Sequence, residues 1–301
     1  MAVITARCPR LEVARWVGDW AGGLALEPPV ALALDITVGD PPADLDDRPP
    51  WHQPDLELRA GPPLGDVRVR WLRAPALGVV PAAGTTARVV LSEAALAERD
   101  LCARSFLTAV VVVLLRRGGW HHVHAATAVD PRGRAWLIAG DSGAGKSTTA
   151  ALLATRGWRV GGDDLSFLTG SGDGVHAVAA RAPIRLRPGG LQLLGRAADR
   201  AAERKPGFFP EELGGAWVQR IRPDVIALPI LGDGPTTAVP LPPRDVLSEL
   251  VRWSAWVALE PDLAQSHLDL LARLAGQASG YRVMLGTDLF RPGDRLMELV
   301  P

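Results

Sequence analysis

Apolar and polar positions alternate cleanly over Val67-Arg68-Val69-Arg70-Trp71-Leu72, a period of two that predicts a half-buried strand. Similar patterning in Leu24 to Val38, sharpest at Val30 to Leu34, predicts one or two more strands, and Arg88 to Leu91 another. Between them, Asp40 to Gly65 reads as loop, broken by Pro41, Pro42, Pro49, Pro50, Pro54, Pro62 and Pro63. Ser92 is a candidate N-cap for a helical pattern, in one or two pieces, that reaches Arg117. Val110 to Val113 makes that pattern apolar on every side, so the segment should be buried against a sheet, and Gly118-Gly119 ends it. His121 to Val129 is strand-like, Asp130-Pro131-Arg132-Gly133 is turn chemistry and Ala135 to Ala139 is a short apolar strand: a hairpin leading into a glycine-rich loop.

Beyond the loop, Ser147 to Arg156 predicts a helix stopped by Gly157. Trp158 to Gly161 predicts a strand that runs up to Asp163-Asp164, and Leu165 to Leu168 continues extended. Later elements are a strand at Val225 to Leu228, helices at Arg244 to Ala258 and Pro261 to Ala275, and a last strand at Arg282 to Leu285. The alternation predicts an α/β domain over 104–301, behind a smaller β-rich accessory domain over 1–103.

Composition narrows the function classes. The 301 residues carry 33 basic and 33 acidic side chains, so no basic excess points to nucleic acid. The longest apolar run, Phe106 to Leu115, falls short of the roughly 18 residues a membrane span needs. The first residues lack the apolar core of a secretion signal, and Cys8 and Cys102 make no disulfide framework; both features lead to the expectation of a cytoplasmic protein with no membrane partner. Asparagine is absent and only Lys146 and Lys205 are lysines, so arginine supplies the generic positive charge.

Lys146 lies in Gly140-Asp141-Ser142-Gly143-Ala144-Gly145-Lys146-Ser147, which fits G-x-x-x-x-G-K-[ST] at every fixed position. Backbone N–H groups must converge on phosphate oxygens there, and side chains would obstruct that approach. The following helix points its positive end at the anion, with Thr148 next in line. Lys146 would neutralise the β- and γ-phosphates, and the Ser147 hydroxyl is a ligand for Mg²⁺. A strand before and a helix after give the loop its required setting, so ATP and Mg²⁺ are the expected cofactors.

The neighbouring residues separate this loop from several others. No LSGGQ-like segment occurs, no strand ends in the apolar-Asp-Glu pattern of motor ATPases, and N-K-x-D is impossible without asparagine. Instead Asp163-Asp164 follows Lys146 by seventeen residues. Adjacent strand residues point to opposite faces, so one carboxylate can serve the metal while the other accepts a proton from an attacking hydroxyl.

The stretch HAATAVDPRGRAWLIAGDSGAGKSTTAALLATRGWRVGGDDLSFL, His124 to Leu168, resembles the catalytic core of the HPr kinase/phosphorylase family. The resemblance covers about 45 residues closely, extends loosely to the C-terminus and omits the first 100. It implies the phosphate-loop kinase fold shared with phosphoenolpyruvate carboxykinases and Mg·ATP-dependent phosphorylation of a hydroxyl. The implied roles are Asp163 as base, Asp164 and Ser147 as metal ligands, and His124 near the phosphates. The chain departs from HPr kinase proper in two places. Arg181 to Gly190 stands where a glycine-rich signature tied to phosphorylase action would be, and Thr148 where glutamate is usual. The resemblance is thus to HPr kinase-related proteins, with a serine of a peptide or small protein as the expected acceptor and a small-molecule alcohol as the alternative. A non-catalytic nucleotide-dependent regulatory module is the reading from another class. Relatives of this kind form rings, so a homo-oligomer is a further expectation.

Three further positions stay open between function and structure. His124 reads as a site histidine or as a hydrogen-bonded core residue, and alternation should send His122 away from His121 and His124. Arg181, Arg185 and Arg187 should share one face of an extended segment, either to clamp an acidic substrate or as a solvated face. Lys205, in a loop, would reach the substrate or be a plain surface lysine.

Overall fold

A computed structural model describes residues 3–22, 24, 31–43, 46–61, 65–195, 205–291, 293 and 295–300. It is a mixed α/β structure with several sheets that divides into two compact units, 1–121 with 255–267, and 122–254 with 268–301.

In the first unit seven strands form one sheet in the order β1-β2-β7-β6-β5-β4-β3. They are β1 (Val3–Arg7), β2 (Ala31–Val38), β3 (Trp51–Gln53), β4 (Leu56–Arg59), β5 (Val67–Trp71), β6 (Ala76–Val80) and β7 (Thr86–Leu91). The strand expected over Leu24 to Val38 is described only from Ala31, and 25–30 lie outside the described residues, as do Pro62 and Pro63. The expected loop at Asp40 to Gly65 contains the β3–β4 hairpin, because its prolines flank the strands and Pro54-Asp55 makes the two-residue turn between them. Helix α1 (Leu11–Gly22) follows β1 and buries Val13, Val17 and Ala21, a 4-residue spacing. Ser92 caps α2 (Glu93–Ala97), its hydroxyl accepting the Ala95 N–H at 3.2 Å. The chain continues through α3 (Arg99–Cys102) and a π-helical turn at Ala103–Leu107 into α4 (Thr108–Arg117). Ala109 to Arg116 are all buried in α4. A Cβ at Gly78 of β6 would stand 2.5 Å from Val110, so the helix lies directly on the sheet. That packing puts α4 with the first unit, and the contacts divide after His121 rather than at the expected 103/104 boundary.

The second unit is built on a sheet ordered β16-β11-β9-β10-β18-β20-β19. Its strands are β9 (Ala125–Val129), β10 (Ala135–Ala139), β11 (Arg159–Val160), β16 (Ala216–Trp217), β18 (Val225–Leu231), β19 (Thr237–Leu241) and β20 (Ser279–Leu285). The β9–β10 hairpin turns at the expected residues, where Asp130 accepts the N–H groups of Arg132 and Arg134, both at 2.9 Å. β10 pairs in parallel with β18, and β18 with β20, so all three end at one edge. β11 is antiparallel to β9 and hence also ends at that edge. Helix α5 (Lys146–Thr155) leaves β10 and buries Ala150 to Ala154 beneath Trp136 and Trp158, whose rings meet edge-on at 5.4 Å.

A second sheet, β17-β13-β12-β8, joins β17 (Arg220–Ile221), β13 (Gly174–Ala179), β12 (Ser166–Ser171) and β8 (His121–Val123). β14 (Ile184–Arg185) and β15 (Gly207–Phe208) form a short ribbon. Helix α6 (Pro188–Leu193) follows β14, and the expected late helices appear as α7 (Pro243–Arg252), with a 3-10 turn at Ala255–Ala258, and α8 (Pro261–Gln277). Helix α9 (Arg295–Leu299) closes the chain. Among the described residues no helix is long and apolar enough to cross a membrane.

Candidate nucleotide site

The glycine-rich loop joins the C-terminal end of β10 to the N-terminus of α5, the arrangement its sequence predicts. Gly143 and Gly145 have φ of +92° and +94°, in the left-handed region that glycine adopts without strain. At Gly145 a Cβ would also lie 2.8 Å from Leu285 Cδ1, so that side chain would have to shift. Asp141 turns its carboxylate back to accept the Ser142 N–H at 2.6 Å. Ala144 donates its N–H to the Asp141 carbonyl at 3.2 Å.

Lys146 is buried at the base of the loop. Its ammonium donates to the carbonyls of Gly140 at 2.9 Å and Asp141 at 2.8 Å. Burial draws its pKa below the ordinary lysine value, opposed by Asp164, Asp163 and Asp141. Thr148 faces α6 rather than open space: a Cβ on Gly190 would stand 2.8 Å from its hydroxyl.

Asp163 and Asp164 follow β11 at the same edge, and they differ sharply. Asp163 is buried, accepts a hydrogen bond from the Ser147 hydroxyl and another from the Arg185 N–H, and keeps Oδ2 buried without a partner. Burial and the neighbouring Asp164 push its pKa up to about 7, against the pull of Ser147, Arg185 and Lys146. Asp164 is 62% exposed at its side chain and accepts from His124 Nε2 at 2.9 Å. Partial loss of water would raise its pKa, but the His124 bond and charge, with Lys146 and His122, hold it below the usual carboxylate range.

The expected division puts Ser147 with Asp164 on the metal and Asp163 at the acceptor. Ser147 is joined to Asp163, and Asp164 stands with His124 on the open side. The histidines are grouped as a period of two requires, His122 with His124 and His121 opposite, and not as expected with His122 apart from the other two. β8 stops at Val123 and β9 starts at Ala125, and both His122 and His124 reach Asp164, His122 at its main-chain carbonyl at 3.2 Å. His121 turns the other way and stacks on His267 at 4.6 Å.

Of the candidate substrate residues, Arg185 meets the acidic pair through its own N–H, which holds Asp163. Its guanidinium reaches back to the Lys205 carbonyl at 3.3 Å across the β14–β15 ribbon. Lys205 borders 196–204, which lie outside the described residues with Glu203 and Arg204. Arg181 does not join the other arginines: it lies over the rings of Phe209 and Trp217, about 5 Å from each centroid, and pairs with Glu211 at 3.1 Å. Arg187 caps α6 with its backbone. Among the described residues no cluster of three His, Cys, Asp or Glu side chains forms a metal cage.

The residues present fit a magnesium–triphosphate complex. The buried Oδ2 of Asp163, without a hydrogen bond, and the Ser147 hydroxyl beside it are a pair of hard oxygen donors of the kind Mg²⁺ takes. Sequence reasoning found the loop and both aspartates but missed the Arg185 N–H, because a main-chain donor leaves no mark on residue type.

Fold and site together define a strand–phosphate loop–helix structure with an acidic pair at its edge. No family model matches the chain, and no curated protein matches it. Among solved structures it is similar to the Hpr(Ser) kinase/phosphatase from Coxiella burnetii, at 13% identity and a TM-score of 0.32, over 60% of this chain and 86% of that one. A likeness of that size is faint, and the functional reading rests on the geometry of the site itself.

Proposed function

We propose that the protein is an ATP- and Mg²⁺-dependent kinase that transfers the γ-phosphoryl group to a hydroxyl, that of a serine on a peptide or small protein. The observation that carries this reading is the pair Asp163–Asp164: one carboxylate buried and tied to the loop serine, the other open and tied to a histidine. Pure nucleotide binding has no use for the second.

Ser147 and Asp163 are the residues that would hold magnesium, which when bound supplies positive charge to the triphosphate. Lys146 and the loop amides neutralise charge that develops on the transferred group. Asp164, ionised and reachable from solvent, accepts the proton of the acceptor hydroxyl, and His124 fixes its orientation. The Arg185 N–H holds Asp163 in place, and its guanidinium, which donates to the Lys205 carbonyl, is the candidate contact for an acidic acceptor.

The two aspartates have separable tests. Asp164→Asn should keep Mg²⁺-dependent ATP binding while lowering acceptor-dependent ADP formation by about 10²-fold or more. Asp163→Asn should lose the Mg²⁺ dependence of ATP binding. The opposite pattern would return the base role to Asp163, and unchanged turnover in both variants would defeat the kinase reading.

A further inference from the structure

The nucleotide's other end also has a place. The acidic pair follows β11, on one side of β10 in the sheet order, while β18 and β20 lie on the other. A triphosphate whose reacting terminus faces Asp163–Asp164 must run across the loop and leave its base on the β18–β20 side. There Leu231, the last residue of β18, is paired in register with Leu285, the last of β20. Both touch the loop: a Cβ on Gly145 would lie 3.3 Å from Leu231 Cδ2 and 2.8 Å from Leu285 Cδ1. Leu285 is buried, but Leu231 is 68% exposed, a large apolar side chain left in water at the rim of a phosphate site. Ligands of parallel sheets bind beyond the carboxyl ends of the strands, which is where both leucines stand.

We propose that Leu231, backed by Leu285, is the apolar contact for the base of the bound nucleotide. The inference rests on the nucleotide reading of the loop and adds the residue that distinguishes a nucleotide from bare polyphosphate. A flat base laid on Leu231 removes apolar surface from water on both partners, whereas inorganic tripolyphosphate offers the loop the same anionic groups and nothing for the leucine.

The test is calorimetric titration of the full chain, in Mg²⁺, with ATP and separately with inorganic tripolyphosphate. Wild type should bind ATP more tightly, and Leu231→Ser, a change at an exposed strand end, should weaken ATP about fivefold and tripolyphosphate less than about twofold. Leu231→Phe, a larger flat surface, should restore or tighten ATP binding. Equal weakening of both ligands by Leu231→Ser, no weakening of either, or equal affinity of wild type for both would overturn the inference while leaving the loop intact. Wild type that bound neither ligand would overturn the nucleotide reading and this inference together.

Discussion

Asp163 bears the clearest conflict between stability and function. Its pKa is raised from 3.8 to about 7, so between those values the folded chain holds a proton that the unfolded chain has released. Stability therefore falls as pH climbs through that window. Asp163→Asn removes the ionisation and should raise the thermal midpoint at pH 8, with the gain shrinking toward pH 5, as scanning calorimetry would read it. A gain independent of pH would mean that the carboxylate is not titrating there. Residue identity announced Gly140 to Ser147 and the acidic pair, because phosphate cradles and metal-linked carboxylates tolerate few alternatives. It did not announce which aspartate Ser147 would meet, since that depends on how the chain turns between β11 and β12.

At the scale of elements, close approach explains positions that no pattern marks. Gly161, just after β11, donates its N–H to the Thr127 carbonyl at 2.9 Å; a Cβ there would meet both Thr127 Oγ1 and the Val218 carbonyl at 2.2 Å. Gly161→Ala should cost about 3 kcal/mol in urea unfolding, or prevent accumulation of folded protein, because the obstruction includes backbone that cannot turn aside. In the first unit, Glu260 is buried between Arg116 and Arg117, at 3.5 and 2.7 Å. Glu260→Gln leaves two buried guanidinium groups short of their counter-charge and should cost about 3 kcal/mol in the same assay. A loss under about 0.5 kcal/mol would mean that water already screens the pair. The regular elements were legible: the hairpin at 125–139 from apolar runs around a turn, the loop helix from its composition, and the late helices from apolar periodicity. The strand expected at Trp158 to Gly161 appears as β11, whereas the two-residue strands β14, β15, β16 and β17 are too short to have a period and exist through long-range pairing.

For the whole molecule, the absence of net charge and the two-unit division set the frame, and the chemistry gathers at one sheet edge in the second unit. The α/β character of that unit was readable from alternating strand and helix signals. The boundary was not, because α4 belongs by sequence to the segment leading into the loop and by packing to the first sheet. The acceptor is a variable of the decisive measurement. That measurement is ADP formation by the purified full chain with Mg·ATP, with and without serine peptides, sugars and simple alcohols, beside Asp164→Asn. The expected result is acceptor-dependent ADP formation by the wild type that disappears in the variant while ATP binding persists. Tight ATP binding with no turnover on any acceptor would contradict the kinase reading and make the protein a nucleotide-dependent regulatory module.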